Sequence, residues 1–361
     1  MGNVHEKTAL ESRVPGSHKR LGCGPTNHRY SKWCLGRGDA ASNVCSDVRA
    51  FPRGCISSSE SCLDSTSGEK SAGGIREGYS DTSGTKSIHS QEMGRGNSKK
   101  TGWQKMKTLV VAQQKGGVGK TSTLVHIAYD FFERGLKVAV IDLDTQGNAS
   151  FTLKEYESGY LASQMFEEST KDFHSVFSQL PDGPLLSLIK SDPVLANMES
   201  KPVADVVANF KAKIAALSDC GFDVVLIDTA PSLGVSLATA LYASDYVVSP
   251  IELEAYSIQG IGKMVTTIIN VRQFNPSLNF LGMVPSKVDG RNPRHGQHLA
   301  ELKEAYPQLM IPAAIGLRSS IADALATGVP VWKIKKTAAR KAAKEVRELA
   351  KYIFEKMEIA E

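Results

Sequence analysis

The run Lys115, Gly116, Gly117, Val118, Gly119, Lys120, Thr121, Ser122 has the residue types of a loop that binds phosphate. Glycines let successive backbone N–H groups wrap an anion, and a helix starting directly behind them turns its positive end toward the same charge. Lys120 would hold the terminal phosphates of ATP, and the Thr121 hydroxyl would ligate Mg²⁺. The ordinary form of this loop begins on glycine, G-x-x-x-x-G-K-[ST], whereas here a lysine heads the run.

Carboxylates stand where such chemistry needs them. Asp142 and Asp144, two apart in IDLDTQGNAS, would share one side of an extended strand. In one division of labour Asp144 orients the attacking water and Asp142 supports the magnesium network; in another Asp144 caps a helix. Asp228 ends the apolar run of DVVLIDTAPSLG, the place of a carboxylate that holds Mg²⁺ through water, while Asp223 at the run's start reads as structural. Phosphoryl transfer needs positioning and charge neutralisation above all, and no arginine finger is visible. The expectation is slow hydrolysis that a partner accelerates.

These side chains need a scaffold that brings loop ends together. Short continuous apolar runs at Thr108–Ala112, Lys137–Leu143, Asp223–Ile227, Tyr246–Ser249 and Asn279–Val284 read as strands buried on both faces. Ala204–Ser218, Val235–Ala243, Ile258–Phe274 and Gly296–Ala305 have helical length and spacing, as does Lys120–Glu133 behind the glycine loop. The alternation predicts an α/β domain, a doubly wound, mostly parallel sheet, with its ligand beyond the carboxyl ends of the strands.

Composition divides the chain at Met106. Residues 1–105 hold 15 Gly and 17 Ser but only 12 residues of Ile, Leu, Val and Phe, too little apolar surface to offset the entropy of ordering the backbone. They are expected to be a disordered, basic extension, with 16 Lys plus Arg against 10 Asp plus Glu, leaving 27 against 28 for residues 106–361. Basic character in the folded part therefore has to come from local patches. Met106 could serve as a second translation start, and one DNA segment serving two reading frames would also give such a composition. Five of the six cysteines lie in the extension without a C-x-x-C pair, which supports neither a zinc site nor a disulfide framework. No apolar run reaches the roughly 18 residues of a membrane helix, so a reducing cytoplasm is the expected compartment.

The lysine at the head of KGGVGKTS resembles the deviant Walker A box of the ParA and MinD superfamily of P-loop NTPases, and the resemblance extends over essentially all of 106–361. It implies a nucleotide-sandwich homodimer in which Lys115 reaches the partner's ATP; the alternative is a solvated loop lysine. Where relatives read D-x-D-P-Q, Thr145 replaces the proline. Thr229 and Pro231 resemble the segment that senses the γ-phosphate, and PIELEAYSIQG places Glu254 at a family glutamate near the nucleotide. VDGRNPR and IGLRSSIADA match segments carrying DNA-contacting arginines, here Arg291 and Arg318. Lys333, Lys335, Lys336 and Arg340 then open a cationic stretch suited to sequence-independent phosphate contacts with double-stranded DNA.

The resemblance implies a DNA-partition ATPase, nucleoid-associated, that is released when a ParB-type centromere-binding protein stimulates hydrolysis. A rival is a MinD-like membrane switch, which needs a terminal amphipathic helix with bulky apolar residues; YIFEKMEIAE is acidic and breaks that pattern. Metabolic enzymes built on the same loop form a third class, but Cys220 alone cannot hold a cluster between two subunits.

Overall fold

Both faces of the central sheet are covered by helices, so its inner strands carry apolar side chains on either side and their sequences do not alternate. The computed structural model describes residues 105–169, 171–254 and 257–359. The expected disorder of the amino-terminal extension, and any DNA contact by it, fall on residues outside these ranges.

The elements are β1 (Lys107–Val111), α1 (Lys120–Glu133), β2 (Lys137–Leu143), α2 (Asn148–Thr152), β3 (Glu157–Leu161), α3 (Lys171–Phe177), β4 (Leu185–Lys190), α4 (Leu195–Met198), α5 (Val203–Asp219), β5 (Val224–Thr229), α6 (Val235–Tyr242), β6 (Tyr246–Glu252), α7 (Ser257–Arg272), β7 (Asn279–Ser286), α8 (Pro293–Ala305), α9 (Ser319–Thr327) and α10 (Thr337–Lys356). The sheet order is β3-β4-β2-β5-β1-β6-β7 and every pairing is parallel. β1 lies between β5 and β6, so the loop leaving it opens at the centre of the carboxyl edge.

Strands expected from apolar runs are present; β2 has the expected ends, and no end of the others is shifted by more than three residues. β3 and β4 carried no such signal. Glu157–Leu161 is an edge strand with a mostly exposed pattern, and Ser187 interrupts the apolar run of Leu185–Lys190. Asp223 has the structural part expected of it: its carboxylate accepts the Lys137 N–H at 2.8 Å and its carbonyl accepts the Lys107 N–H at 3.0 Å, joining the starts of β1, β2 and β5.

Two apolar layers result. One face packs Phe166, Phe173, Phe177, Phe210 and Leu217 beneath α3, α5 and α6; the other packs Leu124, Phe131, Leu153, Val346 and Phe354 between α1 and α10. Helix α10 buries Ala339, Ala342, Val346, Leu349, Ala350, Ile353 and Phe354, one stripe at helical spacing, and leaves its lysines outside. It is tied to α1 by ions as well as packing. Asp130 is fully buried and accepts from Arg134 at 2.5 Å and from Arg347 at 2.8 Å, and the Arg347 guanidinium lies 3.9 Å from the Trp332 ring centroid.

Candidate nucleotide site

The glycine loop leaves β1 and passes into α1 through left-handed backbone at Gly117 (φ 76) and Gly119 (φ 93). At Gly119 a side chain is excluded twice over: the conformation strains any L-residue, and a Cβ would come 2.9 Å from the Ser286 hydroxyl. This is the sharp turn that frees the first N–H groups of α1 for an anion. An open cleft of about 510 Å³ begins there, lined by Gly117, Gly119, Lys120, Thr121, Ser122, Asp144, Gln146, Phe151 and Pro231 among others.

Lys120 is buried, with its ammonium 3.4 Å from the Lys115 carbonyl. Burial pulls its pKa down, and the charges of Asp228 and Asp144 oppose that fall. The Thr121 hydroxyl donates to Asp228 Oδ2 at 2.6 Å. Asp228 is fully buried and its Oδ1 has no hydrogen-bond partner. Burial first, then the negative charge of Asp142, pushes its pKa up to about 8. An orphaned buried carboxylate oxygen beside a threonine hydroxyl fits a hard divalent cation such as Mg²⁺. The described residues contain no group of three or more His, Cys, Asp or Glu able to hold a metal by themselves, so the remaining ligands have to be phosphate and water.

β2 ends at Leu143 and the chain turns, so that the Asp144 N–H donates to Asp142 Oδ1 at 3.1 Å. Asp142 Oδ2 accepts the N–H and hydroxyl of Ser150, at 2.8 and 2.7 Å. The Asp142 carboxylate thus holds the loop between β2 and α2, and it stands in register with Asp228 on the neighbouring strand. Asp144 does line the cleft, with Oδ1 accepting the Gln146 N–H at 3.0 Å; the N-cap of α2 is Gly147, which removes the capping alternative. In the segment after Asp228, Thr229 is held by the sheet. Its hydroxyl donates to the Val111 carbonyl at 3.0 Å and is buried between β5 and β1, whereas Pro231 faces the cleft.

Lys115 stands outside the cleft lining. Its ammonium bonds Glu252 at 2.9 Å and also Glu254, and these two hydrogen bonds, Glu254 first, raise its pKa. The other oxygen of Glu252 takes Lys287 at 3.0 Å. Lys287 has left-handed backbone (φ 54), and its ammonium lies 3.9 Å from where a Cβ on Gly117 would sit. Sequence reasoning named neither Glu252 nor Lys287; a lysine just past the end of an apolar strand carries no signal of its own.

The six candidate DNA residues separate into three groups. Arg318 is corrected: its Nε and Nη2 donate to Glu345 at 3.0 and 2.5 Å, its side chain is 22% exposed, and the pair fastens the start of α9 to α10. Arg291 is exposed and clasped by Asp289, Lys336 bonds Asp323 at 2.6 Å, and Lys333 lies 4.0 Å from Glu133. Lys335 and Arg340 are exposed and make no ion pair among the described residues.

A family model described as an AAA domain matches residues 106–280. The chain is 57% identical over 364 residues to Protein IncC of Escherichia coli, with 100% of both chains covered. It is 32% identical over 228 residues to the chromosome-partitioning ATPase Soj of Thermus thermophilus, covering 62% of this chain and 86% of that protein. Among solved structures it is similar to cobyrinic acid a,c-diamide synthase from Mycobacterium smegmatis with bound ATP analog and magnesium. That match has a TM-score of 0.55 and 28% identity, over 68% of this chain and 93% of the other.

Proposed function

The chain belongs to the ParA family of partition ATPases, close to IncC, and from that premise we propose that it is a nucleotide-gated DNA-binding switch. ATPase activity with ATP and Mg²⁺ follows from the family. In the proposed cycle ATP joins two copies of the chain, the dimer binds duplex DNA without sequence choice, and a ParB-type partner triggers hydrolysis and release.

Lys120 and the N–H groups of 116–122 would hold the phosphates, and Thr121 and Asp228 would hold Mg²⁺, which when bound would supply charge neutralisation for phosphoryl transfer. Asp144 orients water at the cleft wall. Lys115 has a separate part: parked on Glu252 and Glu254, it is free to leave for a second copy's nucleotide once a stronger anion is offered. Phe151 at the cleft and Leu233 in the loop after Asp228 are each 62% exposed, apolar surface suited to that second copy.

The observation that carries the DNA reading is the clamp between α1 and α10. The helix that starts at the phosphate loop is ion-paired and packed against the helix that bears the cationic face. The membrane alternative loses its support here, because the apolar stripe of α10 is committed to the core, as are Met357 and Ile359 beyond it. No helix among the described residues is long and apolar enough to cross a membrane.

The test is binding to an unrelated duplex with ATP, ADP and no nucleotide at two salt concentrations. Tight, salt-sensitive binding only with ATP is expected, and binding indifferent to nucleotide would sink the switch. The same assay on chains starting at Met1 and Met106 tests the proposed division into a 1–105 extension and a 106–361 ATPase domain.

A further inference from the structure

We propose that Glu199 is a positioning residue for ATP hydrolysis, fixing the loop that runs from Asp228 to α6 by seating its carboxylate on the first N–H groups of that helix. Helix α6 begins without a side-chain cap of its own, since its N-cap is Gly234. Its orphan donors go instead to a residue 36 positions earlier: Glu199 Oε2 accepts the Val235 N–H at 2.7 Å and Oε1 the Ser236 N–H at 3.2 Å. Gly234 explains itself by this contact. Its backbone, φ −85 and ψ −178, is one any residue adopts, yet a Cβ there would fall 1.8 Å from Glu199 Oε2. A Cβ there would take the space of the carboxylate and displace it, with no strain in the backbone.

The segment carrying Glu199 is itself anchored to the other side of the nucleotide site. Ser191 donates its hydroxyl to the Asp144 carbonyl at 2.6 Å, and its N–H goes to the Ser150 hydroxyl at 2.8 Å. Asp192 accepts the N–H groups of Val194 and Ser163, both at 2.9 Å, and Leu195 and Met198 are buried in the core. The connection from β4 to α5 is thus a strap with Asp144 at one end and the loop after Asp228 at the other. Through Glu199 it holds Pro231 at the cleft and sets the distance between the two carboxylate-bearing loops.

This inference rests on the resemblance of the segment carrying Thr229 and Pro231 to one that senses the γ-phosphate. The experiment measures amide hydrogen exchange over 229–236 and basal ATP hydrolysis, in the full chain, for wild type, E199A, E199Q, G234A and the E199A/G234A double variant. E199A is expected to speed exchange at 235 and 236 and to lower kcat about tenfold, with KM for ATP within about twofold, the pattern of lost positioning rather than lost binding. G234A evicts the carboxylate and should reproduce E199A, and the double variant should be no worse than either single one. E199Q, which keeps one acceptor oxygen, should fall between. Unchanged exchange and kcat in E199A, or losses that multiply in the double variant, overturn the proposal; if G234A does not fold, E199A and E199Q decide it. Wild-type exchange with ADP against AMPPNP separates the levels. A loop indifferent to nucleotide removes the underlying reading and the inference with it, whereas a responsive loop unaffected by E199A removes the role of Glu199 alone.

Discussion

Asp228 shows what a single residue contributes and costs. It is a fully buried carboxylate near Asp142 and Asp144, with one oxygen lacking a partner, an arrangement unfavourable to the nucleotide-free chain and useful once a cation arrives. Substituting Asp228→Asn removes the cost of holding a carboxyl group far from its ordinary ionisation and keeps an oxygen for the Thr121 hydroxyl. We expect the nucleotide-free variant to melt a few degrees higher than wild type while Mg²⁺-dependent hydrolysis falls by about 100-fold or more. A thermal scan without nucleotide and a phosphate-release assay check both halves, and a variant that lost stability and activity together would contradict this account. Of the residues around it, Lys120, Thr121 and Asp228 were legible because spacing within one loop and one strand end fixes their types. Glu199 was not, because its partner N–H groups lie 36 positions away and nothing local marks it.

Helices α1 and α10 form the element pair on which the cationic face stands. His126 lies at their contact, 1% exposed, with Nδ1 2.7 Å from the Ser122 carbonyl and Nε2 unpartnered. The carbonyl assigns the proton to Nδ1. Around it are the Trp332 ring, 6.2 Å between centroids, and a small apolar cavity walled by Ile127, Ile315, Ile321, Val346 and Leu349, with no carboxylate to stabilise a charged ring. Burial pulls its pKa down to about 4 from an ordinary 6.5. Between those values the unfolded chain binds a proton that the folded chain refuses, so stability falls as pH drops through that window. At pH 5 the loss relative to pH 7 is about 2 kcal/mol from this residue. Asp228, its pKa pushed up by burial, contributes with the opposite sign over the same window, so the reading is the difference between chains: in urea titrations His126→Phe should gain about 2 kcal/mol on wild type between pH 7 and pH 5, and an unchanged gap would reject the assignment. The lysine-rich sequence of α10 was read for its charge alone; its buried stripe of Ala339, Ala342, Val346 and Leu349 makes it a core helix as well.

At the scale of the whole molecule, the expected DNA surface is redistributed by the fold. Lys335 and Arg340 are exposed without ion pairs among the described residues, whereas Arg318 is locked onto Glu345 between α9 and α10. Neutralising Lys335 and Arg340 together should weaken ATP-dependent DNA binding for every sequence alike and reduce the slope of log K against log salt by about 2. Arg318→Ala should act first on folding, strand Glu345, and cost about 1–3 kcal/mol in a denaturant titration. Binding isotherms at several salt concentrations distinguish the two kinds of arginine. A normal melting curve for Arg318→Ala with a reduced salt slope would return it to the DNA face.

The sequence by itself determined the phosphate loop, the parallel α/β plan and the placement of Asp228, because each depends on residues adjacent in the chain or on apolar runs that only a doubly covered sheet can bury. Tertiary structure decided which polar groups remain available. Asp142 is engaged by Ser150, Thr229 by Val111, Arg318 by Glu345 and, at rest, Lys115 by Glu252 and Glu254, while Asp228 is left with an unpaired oxygen. A hydrogen-bonding side chain is defined by its partner, and these partners are supplied by chain segments brought close only when the strands and helices assemble.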